Sequence, residues 1–389
     1  MILTVFSALQ KRMKRSHSII IFIVIALSLL SCSGNGNGIS SDKGDTIKLK
    51  YADNMTMIRH EGYTVVTLKN PWKEGKTLHT YILVPHDKEL PDNLPKGTIV
   101  RTPLKKAVVA TSVHCGLVWS FNRGDNIKGV CDVRYINLPA ITAGIKSGKI
   151  ADCGSGITPT LEKIIDIDAD AILISPFQNN GGYGRLDEWK RPIIETADYM
   201  ETSALGRAEW MKFYGLLFGA EKEADSIFNC VEKRYNELKA LAKTSKTRHS
   251  IIIDKMNSSV WYVPGGMSTI GGIIADANTD YPFSNDKSSG GVALPFELVL
   301  EKASNSDIWM FRYNSSMKAT LGSLLQENGG YSQFKAFKNG NVYGCNTYSN
   351  TFYEDTPFHP DLLLRDFIII THPDITSLGE PKYFEKITR

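Results

Sequence analysis

The 389-residue chain lacks the short motifs that mark the commonest classes of enzyme and metal protein. It has no GxxxxGK[ST] phosphate-binding loop and no GxSxG nucleophile motif. The nearest approach, Gly154-Ser155-Gly156, has neither the spacing nor a recognisable catalytic partner. No two of the six cysteines have the CxxC spacing of a structural zinc site. We therefore expect no catalytic residues and no resident cofactor.

The chain also lacks a large excess of positive or of negative residues. Lysine and arginine number 45 against 41 acidic residues, and no basic stripe carries interleaved aromatic residues, so we expect no nucleic-acid partner. The histidines, aspartates and glutamates form no recognisable set for bare zinc or manganese, so we expect no metal site. His114 is the one candidate metal ligand, although such a histidine is more often a hydrogen-bonded core residue.

The N-terminus lacks an apolar run of the ~20 residues that a membrane span needs. Its apolar run, Ile19 to Leu30, follows a basic cluster and ends in Leu29-Leu30-Ser31-Cys32. This ending resembles the lipobox of bacterial lipoproteins. It predicts a signal peptide over 1–32, lipidation of Cys32 and a flexible tether over 33–45. We expect a periplasmic, lipid-anchored protein, with the choice of inner or outer membrane left open.

Five cysteines remain after Cys32, an odd number that leaves at least one thiol unpaired. We expect buried free thiols. One disulfide among Cys115, Cys131 and Cys153 stays open as an alternative, because an extracytoplasmic compartment permits it.

The pattern of the rest of the chain predicts an α/β protein with two lobes. Strand, loop and helix patterns alternate in both halves, which predicts Rossmann-like lobes with largely parallel sheets. A long helical stretch lies between the halves and predicts a stiff connector. The predicted divisions are a β-rich N-terminal extension over 46–104, a first lobe over 105–220, a connecting helix over 221–245 and a second lobe over 246–389.

The two halves repeat one another. PTLEKIIDIDADAILI in the first matches PFELVLEKASNSDIWM in the second, and each runs from a proline-led helix into a strand. The order and spacing of these segments around the long helix resemble the periplasmic binding proteins for vitamin B12 and iron–siderophores, over roughly residues 105–372. The stretch ETSALGRAEWMKFYGLLFG is also similar to members from gut Bacteroidetes.

The resemblance implies a function and partners. It predicts a monomeric substrate-binding lipoprotein that hands an iron–siderophore or a cobalamin-like corrinoid to an ABC permease and its ATPase. In the family, one glutamate at the start of a surface helix in each lobe pairs with permease arginines. The matching positions are Glu162 and Glu297, where the helix dipole favours a carboxylate. A surface lipoprotein that captures haem or another chelate without its own permease is the alternative.

The ligand is expected in the cleft between the lobes, at the loops that follow the strands. These loops are rich in aromatic residues, which offer flat contact area to a macrocycle or catecholate, and they contain arginines that can pair with anionic groups. The candidate ligand-binding residues are Trp119, Phe177, Tyr183, Arg185, Trp261, Tyr262, Arg312 and Tyr348.

Overall fold

The computed structural model describes residues 44–178 and 181–388. The predicted signal peptide, Cys32 and the tether up to residue 43 lie outside these residues, so their predictions stay untested. Within the described ranges, no helix combines the length and the apolar character needed to cross a membrane.

The N-terminal extension forms a five-stranded sheet in the order β1-β2-β3-β4-β5. Its strands are antiparallel except for the last pair, β4 and β5, which run parallel. β-branched and aromatic residues dominate β3 and β4, which explains their strand conformation. The strands are β1 (Asp45–Ile47), β2 (Met55–His60), β3 (Tyr63–Lys69), β4 (Thr77–Pro85) and β5 (Thr98–Thr102).

The first lobe is built on a second, fully parallel sheet in the order β10-β9-β6-β7-β8. Its strands are β6 (Ala107–Val109), β7 (Ile127–Val130), β8 (Ala151–Asp152), β9 (Ala171–Ile174) and β10 (Ile193–Glu195). The helices around it are α1 (Ser112–Ser120), α2 (Pro139–Lys146), α3 (Leu161–Asp166), α4 (Ala204–Glu209) and α5 (Met211–Phe218). The strands β6 and β9, at the middle of this sheet, are entirely apolar and buried, as expected for strands covered on both faces.

The connecting helix α6 (Glu221–Ala242) has 22 residues and is therefore about 33 Å long. Gly219 ends the preceding helix in the left-handed conformation, with φ of 61°. Phe228, Val231 and Tyr235 lie on the buried stripe of α6. The Tyr235 hydroxyl donates to Asp276 at 2.8 Å, which ties this helix to the second lobe.

The second lobe contains two small sheets, β11-β15-β16-β17 and β12-β13-β14. The pairs β11–β15 and β15–β16 are parallel, whereas the smaller sheet is antiparallel. Its strands are β11 (Ile251–Ile253), β12 (Met256–Asn257), β13 (Val260–Pro264), β14 (Gly291–Leu294), β15 (Ile308–Tyr313), β16 (Val342–Asn346) and β17 (Glu385–Lys386). Its helices are α7 (Thr269–Asp276), α8 (Phe296–Ala303), α9 (Leu321–Glu327), α10 (Lys335–Lys338), α11 (Phe352–Asp355) and α12 (Pro360–Thr371).

One apolar core runs through the extension and both lobes. Ala107 and Val109 of β6 face this core, while Val108 faces a smaller cluster on the opposite side of the first-lobe sheet. This alternation follows from the two-residue repeat of a strand. The predicted fold class, two α/β lobes with a long connecting helix and a β-rich extension, is confirmed.

Two buried carboxylates hold the extension against the body of the protein. Glu209 of α4 accepts backbone N–H groups from Lys50, Tyr51 and Ala52 at 2.8 to 3.1 Å. Glu201 accepts the backbone N–H groups of Asp53 and Asn54 at 3.1 and 2.9 Å. It also accepts the Trp210 indole N–H at 2.8 Å. Burial raises the pKa of Glu201. The segment over 50–54 therefore cannot separate without leaving buried charges and donors unpaired.

The five cysteines of the described residues are all free, so the alternative of a disulfide among Cys115, Cys131 and Cys153 is wrong in this structure. Burial raises the pKa of Cys131 to about 12 and that of Cys153 to about 11. These thiols are protonated at neutral pH and pack as small apolar side chains.

We expect Glu209→Ala to lower the free energy of unfolding by about 3 kcal/mol, because it leaves three buried or partly buried N–H groups without an acceptor. Glu237→Ala on the exposed face of α6 is the control and should change it by less than about 0.5 kcal/mol. Urea unfolding of both variants measures the difference. Equal stability would show that the extension does not depend on this carboxylate.

Candidate functional site

A cavity of about 720 Å³ lies at the carboxyl ends of β6, β7 and β9 in the first lobe. Parallel strands end at the same edge of a sheet, and the loops that follow them form the usual binding crevice of such folds. The cavity wall is mostly apolar and is interrupted by a few polar groups. The residues along it include Thr111, Asp132, Ile157, Pro159, Ile174, Phe177, Tyr183, Arg185, Leu186 and Tyr199.

A buried hydrogen-bond network lies behind the cavity. Thr111, which lines the cavity, has its hydroxyl 2.5 Å from Nδ1 of His114. The other ring nitrogen of His114 lies 2.8 Å from the Asp198 carboxylate. Both ring nitrogens are thus engaged within the protein. The structure supports the core-histidine interpretation of His114 over a metal ligand.

Asp198 is fully buried and carries the charge of this network. It accepts hydrogen bonds from the Tyr214 hydroxyl at 2.8 Å and from Nε of Arg207 at 3.0 Å. Burial alone would raise the pKa of Asp198, but His114, Arg207 and Tyr214 outweigh it and hold the pKa at about 2. Phe358 of the second lobe packs edge-on against His114 and Tyr214, so the network also lies at the junction of the lobes.

Three of the predicted ligand-binding residues line the cavity: Phe177, Tyr183 and Arg185. Phe177 has 48% of its surface exposed. The Tyr183 hydroxyl donates to Glu195 at 2.8 Å, which fixes the ring against the sheet edge. Arg185 lies at the rim and forms a 2.6 Å ion pair with Glu162.

One predicted ligand-binding residue, Trp261, is buried, which corrects the expectation, whereas the part of Arg312 in ligand binding stays a prediction. Trp261 has no exposed surface, because it faces inward from β13 and donates its indole N–H to the Ile253 carbonyl at 3.0 Å. Arg312 forms a two-point ion pair with Asp254, at the adjoining ends of β11 and β15. Burial alone would lower the pKa of Arg312, but the Asp254 carboxylate outweighs it and raises the pKa further.

The remaining three candidates, Trp119, Tyr262 and Tyr348, are exposed aromatic side chains. None of them is among the residues that line the 720 Å³ cavity. Their part in ligand binding stays a prediction.

The two predicted docking glutamates occupy equivalent places. Glu162 and Glu297 are each the second residue of a helix, α3 and α8 respectively, and both are exposed. A backbone hydrogen bond at the helix start and the Arg185 side chain lower the pKa of Glu162. Glu162 is paired within its own lobe, and no ion pair with Glu297 occurs in the described ranges.

Sequence reasoning missed Asp132 and Tyr199 among the cavity residues. Asp132 follows β7 in the left-handed conformation and accepts the Gly156 N–H at 2.9 Å. No clear sequence signal marks it, because β7 (Ile-Lys-Gly-Val) is not a continuous apolar run. That strand was not predicted, so the residue after it was not considered. Tyr199 donates to the Pro176 carbonyl at 2.5 Å from a 3₁₀ turn that has no strong sequence signature.

No group of three or more histidine, cysteine or acidic side chains suited to a metal ion occurs in the described part of the chain. The polar side chains at the cavity are an ion-paired arginine, a hydrogen-bonded aspartate and the hydroxyl-bearing Thr111, Thr158, Ser175, Tyr183 and Tyr199. This arrangement suits an intact ligand, bound through apolar contact and charge pairing, more than a bare metal ion.

A family model described as periplasmic binding protein matches residues 133–348, which is more than half of the chain. The chain belongs to the periplasmic binding protein family. The resemblance inferred from the repeated segments is thereby confirmed. As a member of this family the chain is a substrate-binding protein and not an enzyme.

The chain is also similar to curated proteins and to solved structures. Two proteins of Methanocaldococcus jannaschii named as uncharacterised lipoproteins are 28% and 25% identical; the matches cover 89% and 87% of this chain, and 87% and 86% of theirs. A periplasmic haem-binding protein of Pseudomonas aeruginosa superposes with a TM-score of 0.58 and 13% identity over 74% of this chain and 99% of its own. A catecholate-siderophore-binding protein of Vibrio cholerae gives a TM-score of 0.54 and 18% identity over 69% and 94%. These structures share the fold, and the family is extracytoplasmic.

The depressed pKa of Asp198 predicts a pH dependence of stability. A carboxylate whose folded pKa lies below its unfolded value stabilises the protein above the unfolded pKa, and this contribution is lost as pH falls toward the folded one. We expect the stability advantage over Asp198→Asn to shrink by about 1 kcal/mol between pH 7 and pH 3. Urea unfolding at the two pH values measures it; an unchanged difference would show that the charge of Asp198 is not stabilising.

Proposed function

We propose that this protein captures a metal chelate, an iron–siderophore or a cobalamin-like corrinoid, in the first-lobe cavity and delivers it to an ABC permease. The observation that carries the proposal is the 720 Å³ cavity at the strand ends of a periplasmic binding protein fold. Its volume lies within the ~300–1,000 Å³ of ordinary ligand sites. The solved neighbours that bind haem and a catecholate siderophore support the ligand class.

The chemistry of the wall supports a large, partly flat and partly anionic ligand. Phe177 and Tyr183 present aromatic surface, and flat rings bind macrocycles and catecholates at modest entropic cost. Arg185 offers a guanidinium at the rim, where it can exchange its Glu162 partner for an anionic group of the ligand.

We also propose that Glu162 and Glu297 orient the protein on its permease. Each lies in the first turn of an exposed helix in its own lobe, so the two carboxylates can contact equivalent sites on a two-fold symmetric partner. Such pairs set orientation and the association rate more than raw affinity. We further propose that lipid on Cys32 holds the protein at a membrane as a monomer.

A spectral titration tests the ligand. The lipid-free domain, from about Gly38 onward, is titrated with haem, cyanocobalamin, a ferric tris-catecholate and a ferric trihydroxamate. We expect saturable one-to-one binding of one of these chelates at submicromolar concentration. Phe177→Ala combined with Arg185→Ala should weaken that binding at least tenfold, because it removes both the exposed ring and the cation of the cavity.

The matched control is Ile165→Ala combined with Arg191→Ala. It also removes an exposed apolar side chain and an ion-paired arginine from the first lobe, but neither residue lines the cavity. Its affinity should stay within twofold of the wild type. Failure of the wild type to bind any of the four chelates would overturn the proposed function.

Transport into vesicles that contain the cognate permease tests docking. Charge reversal at both positions, Glu162→Arg with Glu297→Arg, should reduce uptake at least tenfold. Asp166→Arg with Glu301→Arg, on the same two helices but a turn later, is the control and should leave uptake unchanged. Glu162 pairs with Arg185, which lines the cavity, so a change at Glu162 also disturbs a cavity residue. The single change Glu297→Arg avoids this effect, and the ligand affinity of this variant should equal that of the wild type. Unchanged uptake would show that Glu162 and Glu297 do not orient the protein on its permease.

A further inference from the structure

A second cavity, of about 280 Å³, adjoins the first on the side of the N-terminal extension. Pro176, Phe177, Gly182 and Tyr183 line both cavities. A ligand that fills the first cavity and projects past Phe177 or Tyr183 therefore enters the second.

The far wall of this second cavity comes from the extension, in the turn between β3 and β4. Asn70, Trp72 and Lys73 lie in that turn and line the cavity. The turn is closed by a 2.8 Å hydrogen bond from the Asn70 N–H to the Lys76 carbonyl. The Asn70 side chain also accepts the Trp72 N–H at 3.0 Å. Because these bonds are internal to the turn, its shape does not depend on the ligand.

Glu195 connects strand β4, which follows this turn, with the loop that carries Tyr183. Its carboxylate accepts the Tyr183 hydroxyl at 2.8 Å and lies 3.3 Å from Nδ1 of His79, which belongs to β4 of the extension. The extension itself is held by the buried Glu201 and Glu209. The positions of the turn and of the ligand loop are thus fixed relative to one another.

The lining of the second cavity contains one cation, Lys73, and two carboxylates, Asp187 and Glu195. Both of its acidic residues are engaged: Asp187 accepts the Tyr183 backbone N–H at 2.9 Å, and Glu195 is bonded as described. Lys73 is exposed, and the described residues provide no ion-pair partner for its ammonium. Trp72 is half-buried beside it and supplies a flat ring with an N–H donor. An anionic group beside Trp72 can therefore pair with Lys73, while the two carboxylates stay bonded to Tyr183.

We propose that Trp72 and Lys73 of the N-terminal extension form a subsite for a planar, anionic arm of the ligand, such as a carboxylate or phenolate group, whose body lies in the first-lobe cavity. The inference rests on the proposed function, because it needs a chelate in that cavity. It gives the extension a part in specificity. The family match begins at residue 133, so the extension lies outside the matched region.

Titration of Trp72→Ala and Lys73→Gln with the four chelates tests the proposal. For the anionic probes, haem and the ferric tris-catecholate, we expect each variant to bind at least fivefold more weakly than the wild type. Lys76→Gln, an exposed lysine of the same turn that does not line the cavity, should stay within twofold. Lys73→Gln should leave the affinity for any chelate without an anionic arm unchanged.

A second measurement covers the case in which Trp72→Ala disturbs the turn. In tryptophan-labelled protein, the Trp72 indole N–H resonance is assigned by its loss in Trp72→Phe. Saturation with a bound anionic chelate should shift it, while the resonance of the fully buried Trp309 should not move.

Two results would overturn the subsite. If a chelate binds the wild type but Trp72→Ala, Lys73→Gln and the Trp72 resonance all show no effect, the proposed function stands and the subsite is wrong. If the wild type binds none of the chelates, both proposals fall together.

Discussion

Three buried carboxylates within twelve residues of chain hold the extension, the first lobe and the junction of the lobes together. Asp198, Glu201 and Glu209 all lie between β10 and the end of α4, and each is at most 2% exposed. Asp198 organises the network behind the cavity, while the two glutamates accept backbone donors of the extension. A buried carboxylate is tolerated only when its hydrogen bonds are complete, so each one forces a particular neighbour into place. The cavity therefore has a rigid back wall.

Periodicity was enough to predict much of the second lobe. α12 opens at Pro360, a residue favoured in the first turn of a helix, and its apolar residues recur at helical spacing. The two-lobe fold class followed from the repeated segments. The short strands β7 and β8 were missed, because four and two residues are too few for a pattern to show against the surrounding loops.

The unexpected surroundings of the candidate residues have equally local causes. Trp261 and Tyr262 were treated as loop residues, whereas they lie in β13, where alternation sends the first inward and the second outward. Arg312 was expected in the cleft because it comes near the end of a strand. The same rule brings Asp254 to the end of the parallel neighbour, and opposite charges at one sheet edge pair with each other. Such a partner can be identified only when the strand order is known. In the same way, only the folded structure shows that Trp72 and Lys73 of the extension line a cavity together with Tyr183.

The burial of the cysteines has a practical consequence. Cys115, Cys131, Cys153 and Cys345 are enclosed, and burial raises the pKa of each, so the reactive thiolate form is scarce at neutral pH. Cys230, on the connecting helix, is the exposed thiol of the described residues. The folded domain thus does not rely on oxidation for its integrity, and it carries a natural, site-selective attachment point on the helix that connects its lobes. A spectroscopic probe placed there can follow the two lobes without any engineered cysteine.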